Sequence, residues 1–344
     1  MHHAYTRVAF PEQVKPEQLD QWLARGWYRM GQAVFTCRFV VHEGILRPAI
    51  WTRVTLQGYR FRKSLRRLMA RTERDFRVSI GRPVLTPEHH KLYARYRASM
   101  SGDRPADLDA LLSCGLPGQA WDSRIVELRD GDRLAAFSIF DLGEESVQSV
   151  SGVYDPDYAR ASLGFATMLL EMRLAQSRGL RFYYSGYVMP GEPAMDYKLR
   201  TGSVEYYEPE TGLWKPWETI DSYTMPTERM HAALRRAQDC LRERGVQQRL
   251  VQYRWYDLSA WNPGVEGCIE QPLVLLSPAP RGLWAVTWHL DRARYALQRC
   301  SPAVMRSPEG HSTTDGLLFV EDTLAQTATA EGIAAALVQS RRLP

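Results

Sequence analysis

Between residues 120 and 200 the hydrophobic pattern changes period and predicts a run of elements. Arg124 to Leu128 alternates apolar and polar residues, Leu134 to Leu142 is an almost continuous apolar run, and Val147 to Tyr154 reads as a third strand. Asp130-Gly131-Asp132 predicts a tight hairpin between the first two. Asp155-Pro156-Asp157 breaks the third. Leu163, Phe165, Met168, Leu169, Met172 and Leu174 then recur at helical spacing, which predicts a helix from about Ser162 to Ser177, with Gly179 as its stop. Leu180, Phe182 and Tyr184 restore alternation for a fourth strand, Arg181 to Tyr187. A strand–helix–strand unit places its ligand sites at the strand's carboxyl end and the helix N-terminus, where free N–H groups favour an anion.

Upstream, Pro16 to Ala24 predicts a short helix, Ile50 to Leu56 and Phe76 to Ile80 predict strands, and Thr86-Pro87-Glu88 opens a helix that runs past Tyr96. Downstream, Thr227 to Arg244 is an amphipathic helix ended by Gly245. Leu250 to Leu258 and Pro272 to Leu276 look like strands, Leu283 to His289 is apolar and aromatic, and Asp291 to Arg299 reads as a short helix. Ser301 to Asp315 is polar loop, and Glu331 to Ser340 a last helix. The fold class is α+β. The expected divisions are an N-terminal basic module at 1–85, a central domain at 86–222 and an accessory α/β segment at 223–344. With 344 residues and 44% hydrophobic content, the chain can build two cores or one large one.

Five scattered cysteines without a CxxC pair encode neither a disulfide framework nor a zinc site. No apolar run is long enough for a transmembrane helix, and MHHAYTRVAFPEQ has no apolar signal core, so the expected compartment is the cytoplasm. Adjacent His89 and His90 point to different helix faces and cannot jointly clasp a metal. The net charge of +5 is mild, but its distribution is uneven. Arg60, Arg62, Lys63, Arg66, Arg67, Arg71, Arg74 and Arg77 crowd one stretch against Glu73 and Asp75, with Tyr59 and Phe61 interleaved. Arginine forks suit phosphates and carboxylates better than a lysine-rich solubilising face does.

The motifs recur in a familiar order: Arg25 to Gly31, Lys63-Ser64-Leu65-Arg66-Arg67, Glu88 to Tyr96, Tyr154-Asp155-Pro156-Asp157, Ser162-Leu163-Gly164, Gly186-Tyr187 and Met195-Asp196-Tyr197-Lys198. From about residue 20 to 220 the chain resembles the arginyl-tRNA–protein transferases and their bacterial leucyl-transferring relatives. The resemblance implies a GNAT-like acyltransferase fold, an antiparallel sheet with a β-α-β crossover. It departs from that family in three places. Only Cys37 stands where the family clusters cysteines, so no metal or iron–sulfur site is expected. Leu65 replaces a polar residue, and after Lys198 only Glu205 remains of a Phe-x-Pro-x-Glu pattern. An acyl-coenzyme A signature at the central helix is half present, with Gly164 and Ala166 in place, but Ala161 stands where Gln or Arg should be and Arg160 is one residue out of register.

What the resemblance implies is aminolysis of an aminoacyl-tRNA ester, moving arginine or leucine to the amine of a protein, peptide or small molecule, with no cofactor beyond the charged tRNA. Such a reaction needs positioning, an oxyanion donor and reprotonation of the leaving ribose oxygen. Lys198 is the candidate oxyanion or phosphate partner, Tyr197 a proton relay or stacking platform, and Asp196 and Asp141 the candidate bases. Lys63, Ser64, Arg66 and Arg67 are candidates for an acidic acceptor residue or the tRNA backbone, and Tyr187, Ser162, Gly164 and Glu205 complete the candidate substrate site. Two rivals remain: a GNAT acyltransferase using acyl-coenzyme A, and a non-catalytic tRNA- or peptide-binding relative.

Overall fold

The computed structural model describes residues 5–100, 104–115, 120–221, 225–262, 264–303 and 316–342. The chain forms two compact units: residues 8–36 with 49–220, and residues 1–7 with 37–48 and 221–344.

The first unit is built on a sheet of eight strands among the described residues. In chain order these are β1 (Ile50–Thr55), β2 (Arg77–Gly81), β3 (Ser123–Asp130), β4 (Arg133–Leu142), β5 (Ser146–Tyr154), β6 (Phe182–Val188), β7 (Val204–Glu208) and β8 (Leu213–Pro216). Their spatial order is β8-β7-β1-β6-β5-β4-β3-β2. The longer helices packed with them, besides Pro16–Ala24, are α1 (Lys63–Asp75), α2 (Pro87–Ser99) and α3 (Leu163–Ser177). Antiparallel β2 to β5 lead into the crossover β5-α3-β6, whose two strands are parallel. This is the α+β, GNAT-like architecture anticipated from the sequence, and its four central strands and crossover helix fall within two residues of their expected bounds.

Burial explains the sequence pattern of β4. Phe137 and Phe140 are both fully buried, one in the core shared with α2 and the other in the core shared with α3. A strand covered on both faces reads as a continuous apolar run. Helix α3 is likewise apolar almost all round, because α1 covers its outer side with Leu65 and Met69 while the sheet covers the other. Residues 49–85, part of the expected N-terminal module, supply β1, α1 and β2 to this unit. Strand β1 inserts between β6 and β7, a neighbour relation that a period-two pattern does not encode.

Among the described residues the second unit carries a five-stranded antiparallel sheet, β9 (Arg249–Gln252), β10 (Leu273–Pro278), β11 (Leu283–His289), β12 (Arg294–Ala303) and β13 (Leu317–Thr327), with helices α4 (Pro226–Glu243) and α5 (Ala330–Ser340). Met230, Leu234, Val286, Leu297 and Ile333 share its core. The helix expected over Asp291 to Arg299 is instead strand β12. Asp291, Arg292 and Arg294 gave the stretch a helical composition, but Tyr295 and Leu297 pair across to Trp288 and Val286, and tertiary pairing overrides propensity. The strand expected from Leu250 to Leu258 stops at Gln252, and a short helix occupies Leu258–Trp261. Strand β13 lacks a counterpart in the sequence reading. Of the polar loop expected at 301–315, residues 304–315 lie outside the described residues.

Candidate active site

Strands β5 and β6 are parallel but pair over three residues only, Ser146 to Phe182, Val147 to Tyr183 and Gln148 to Tyr184. Both strands then bulge. The pairing of β5 with β4 skips Val150, and that of β6 with β1 skips Ser185. Bulges re-aim strands and end pairing. As a result, residues 149–152, Gly186 and Tyr187 are partly exposed in the middle of a wide sheet. The opening lies at the strands' carboxyl ends, beside the start of α3.

Lys198 forms one wall. It sits on a one-turn 3-10 helix, Tyr197–Thr201, and its Nζ donates to the carbonyl of Tyr187 at 2.7 Å and lies 5.7 Å from that ring's centre. Burial pushes the ammonium down to about 8. Gly186 has φ +87°, and a Cβ there would stand 3.4 Å from Nζ, so glycine meets both the backbone and the space requirement. The Gly186 N–H donates to the Tyr28 hydroxyl at 2.9 Å, and Thr52 Oγ1 donates to the Gly186 carbonyl at 2.7 Å. Tyr187 packs edge-on against Trp51.

Aromatic rings pack around the start of α3. Tyr154 meets Tyr96 at 5.1 Å, Tyr197 meets Phe165 at 6.1 Å, and the Arg200 guanidinium lies 4.7 Å from the Phe165 ring. Burial raises the Tyr197 phenol well above its ordinary value. Gly152 and Gly164 let the start of α3 approach β5. A Cβ on Gly164 would come within 3.2 Å of the Tyr154 ring. Ser162 precedes the helix in the left-handed region, φ 57°, and its carbonyl accepts from Phe165 and Ala166. The turn between β5 and α3 is clamped by the buried Asp155, which accepts from Arg95 Nη1 at 3.0 Å and from Arg133.

The remaining predicted residues lie elsewhere in the unit. Asp196 ends the short helix Pro193–Asp196, next to Tyr197. Lys63, Ser64, Arg66 and Arg67 occupy the exposed face of α1, whose other face is buried. Glu205 on β7 is engaged by Arg53 Nε and Thr55 Oγ1, each at 2.8 Å, and Arg53 is sandwiched between Phe182 and Trp214. Asp141 is buried in an ion pair with Arg29 at 2.8 Å and also accepts from Ser123 at 2.6 Å. Beside this pair lies a cavity of about 450 Å³ lined by Arg29, Gln32, Leu85, Leu112, Ser123 and Ile139 among others. Cys37, which belongs to the second unit, is buried, and burial raises its thiol well above the ordinary value. His89 is a core histidine, with Nε2 3.0 Å from Glu127 Oε1. Sequence reading missed Tyr28, Thr52, Arg29 and Glu171. Glu171 had a signal, a carboxylate one turn from Met168 and Ala175 on a buried helix face.

The sheet thus parts beside the half-buried Lys198 and the start of the crossover helix. Residues 88–208, which span α2 to β7, match the family model described as "Arginine-tRNA-protein transferase, C terminus". The chain is 27% identical over 222 residues to an aspartate/glutamate leucyltransferase of Leptospira interrogans, covering 62% of this chain and 82% of that one. It is 32% identical over 159 residues to one from Ruegeria pomeroyi, covering 45% and 58%. A GCN5-related N-acetyltransferase structure from Anabaena variabilis aligns with a TM-score of 0.31 at 10% identity, over 59% of this chain and 43% of that one. Through residues 88–208 the chain is similar to the arginyl-tRNA–protein transferases, and over a longer stretch to aspartate/glutamate leucyltransferases.

Proposed function

We propose that this protein transfers leucine or arginine from its tRNA to an amine of a protein or peptide, by aminolysis of the aminoacyl ester. The observation that carries the reading is that the family match spans the parted strands and the half-buried Lys198. The parted strands give the ester and the amine a shared, partly dehydrated opening. Lys198 is mostly charged at neutral pH and is held by one hydrogen bond, so its remaining N–H groups serve the developing oxyanion. The partly exposed Tyr154 ring, backed by Tyr96, suits the terminal adenine. Basic face α1, with Lys63, Arg66 and Arg67, carries the tRNA backbone. Asp141, paired with Arg29, serves as a structural anchor in this reading. The ester brings its own activation, so no further cofactor is required, and dependence on charged tRNA places the protein in the cytoplasm.

A donor panel tests this. Purified protein is incubated with leucyl-tRNA, arginyl-tRNA or acetyl-coenzyme A and a peptide with an acidic N-terminal residue, and the peptide mass is read. A gain of one leucyl or arginyl residue is expected. Acetylation alone would place the protein with coenzyme A-dependent acyltransferases, and no change with any charged tRNA would favour a binding role.

A further inference from the structure

The opening between β5 and β6 is braced by a side chain from outside the main sheet. Tyr28 is buried, on the short strand Tyr28–Met30 of a separate small sheet. Gly186 and Thr52 stand opposite each other in the register of β6 and β1, just past the bulge at Ser185. The Gly186 N–H donates to the Tyr28 hydroxyl at 2.9 Å, and that hydroxyl donates to the Thr52 carbonyl at 3.3 Å. A phenol can accept and donate at once, so Tyr28 bridges the two backbones where the ladder is irregular. The Gly186 carbonyl is held as well, by Thr52 Oγ1 at 2.7 Å, and Thr52 Oγ1 lies 2.8 Å from Ser185 Oγ. The Tyr28 ring stacks on Trp51, with centres 4.6 Å apart and planes at 16°, and the same indole takes the Tyr187 ring edge-on at 5.3 Å. Hydroxyl and ring thus converge on residues 186 and 187.

Those two residues set the place of Lys198. Its Nζ donates to the Tyr187 carbonyl at 2.7 Å and passes 3.4 Å from the point where a Cβ on Gly186 would stand. Glycine at φ +87° has no side chain to hold it, and its backbone turns more freely than that of any other residue. A turn at Gly186 re-aims the carbonyl of Tyr187 and swings the ammonium with it. Anchors on the N–H and the carbonyl of Gly186 oppose that turn.

Resting on the transferase reading, we propose that Tyr28 is a positioning residue: by fixing Gly186 it aims the Tyr187 carbonyl, and through it the Lys198 ammonium, at the developing oxyanion.

The test is a double-mutant cycle on kcat with Tyr28→Phe and Lys198→Met, assayed with leucyl- and arginyl-tRNA and the acidic peptide. In the wild-type background Tyr28→Phe should lower kcat ~10-fold or more, with KM for the charged tRNA nearly unchanged, because small displacements of a charge-stabilising group slow the reaction steeply. In the Lys198→Met background it should lower kcat no further, since the group it positions is gone. Losses that multiply in the double variant would overturn the proposal, as would wild-type turnover in Tyr28→Phe. If Tyr28→Phe does not fold, Thr52→Val, which frees the Gly186 carbonyl from its side-chain donor, takes its place in the cycle. A second readout needs no activity. Trace acetylation with acetic anhydride at pH 7, read by mass spectrometry against the exposed Lys91, reports the Lys198 amine. Released from the carbonyl, Lys198 should label about 3-fold faster or more in Tyr28→Phe, because that hydrogen bond favours the charged, unreactive form. Unchanged labelling would overturn the positioning. Wild type inactive on every charged tRNA, with faster labelling in Tyr28→Phe, would reject the transferase reading and leave the positioning of Lys198 established.

Discussion

Replacing Lys198 with methionine separates what the side chain costs the fold from what it does for the reaction. Burial lowers its ammonium from 10.5 to about 8. At about 1.4 kcal/mol per pH unit, that displacement is ~3 kcal/mol. The sign follows from proton uptake. Between pH 8 and 10.5 the unfolded chain binds this proton and the folded chain does not, so stability rises with pH through that window and the full cost is present below it. Methionine keeps the stem's packing and removes the charge, but leaves the Tyr187 carbonyl without its donor, at a cost of about 1–3 kcal/mol. At pH 7 the two effects largely offset, and Lys198→Met is as stable as wild type or slightly more so. By pH 10.5 it is the less stable protein, because the relief has gone and the lost bond remains. Urea unfolding of both proteins at pH 7, 8, 9 and 10 measures the difference, which should move by ~3 kcal/mol against the variant. Transfer activity of the variant should fall ~10²–10³-fold at pH 7, where the ammonium is charged, and the gap should narrow above pH 8. A stability difference that stays flat across this range would refute the claim that the ammonium is desolvated. Retained turnover would remove Lys198 from the chemistry.

Other substitutions probe separate parts of the unit. Arg29→Met or Asp141→Asn should each destabilise by about 3–5 kcal/mol in urea, because each leaves a buried charge unpaired, while the double variant with Asp141→Leu should recover much of that loss. Gly164→Ala should cost about 1–3 kcal/mol, since the new Cβ meets the Tyr154 ring at 3.2 Å, and thermal unfolding together with KM for the charged tRNA will show it. Arg66→Glu with Arg67→Glu should weaken tRNA binding and reduce its logarithmic salt slope by about 2, with stability unchanged.

The sequence showed the crossover clearly because three of its signals agree. Period-two strands, a turn of aspartates and proline, and a helix-spaced apolar run each point to β5-α3-β6. It showed Lys198 through the motif that carries it, though not the desolvation, which comes from the fold around β6. Other features were invisible for physical reasons. The place of β1 between β6 and β7 is a long-range pairing, and nothing local in Ile50–Thr55 specifies its neighbours. The bulges at Val150 and Ser185 leave no mark in composition, yet they open the site. Asp141 looked like a base because it ends a strand. The structure shows its buried partner Arg29, 112 residues away in sequence. In the second unit, charged residues at the turn before β12 imitated a helix that cross-strand pairing overrides.

The central claim is that the parted strands of β5 and β6 hold an ester-to-amide aminoacyl transfer. The most direct measurement follows a radiolabelled leucyl or arginyl group from its tRNA into a peptide with a free amino terminus, using wild type and Lys198→Met side by side. The account predicts label in the peptide that survives alkaline hydrolysis, as an amide does and an ester does not, and a ~10²-fold or greater loss in the variant. Label that remains on the tRNA with wild type, or transfer at equal rates by the two proteins, would contradict it.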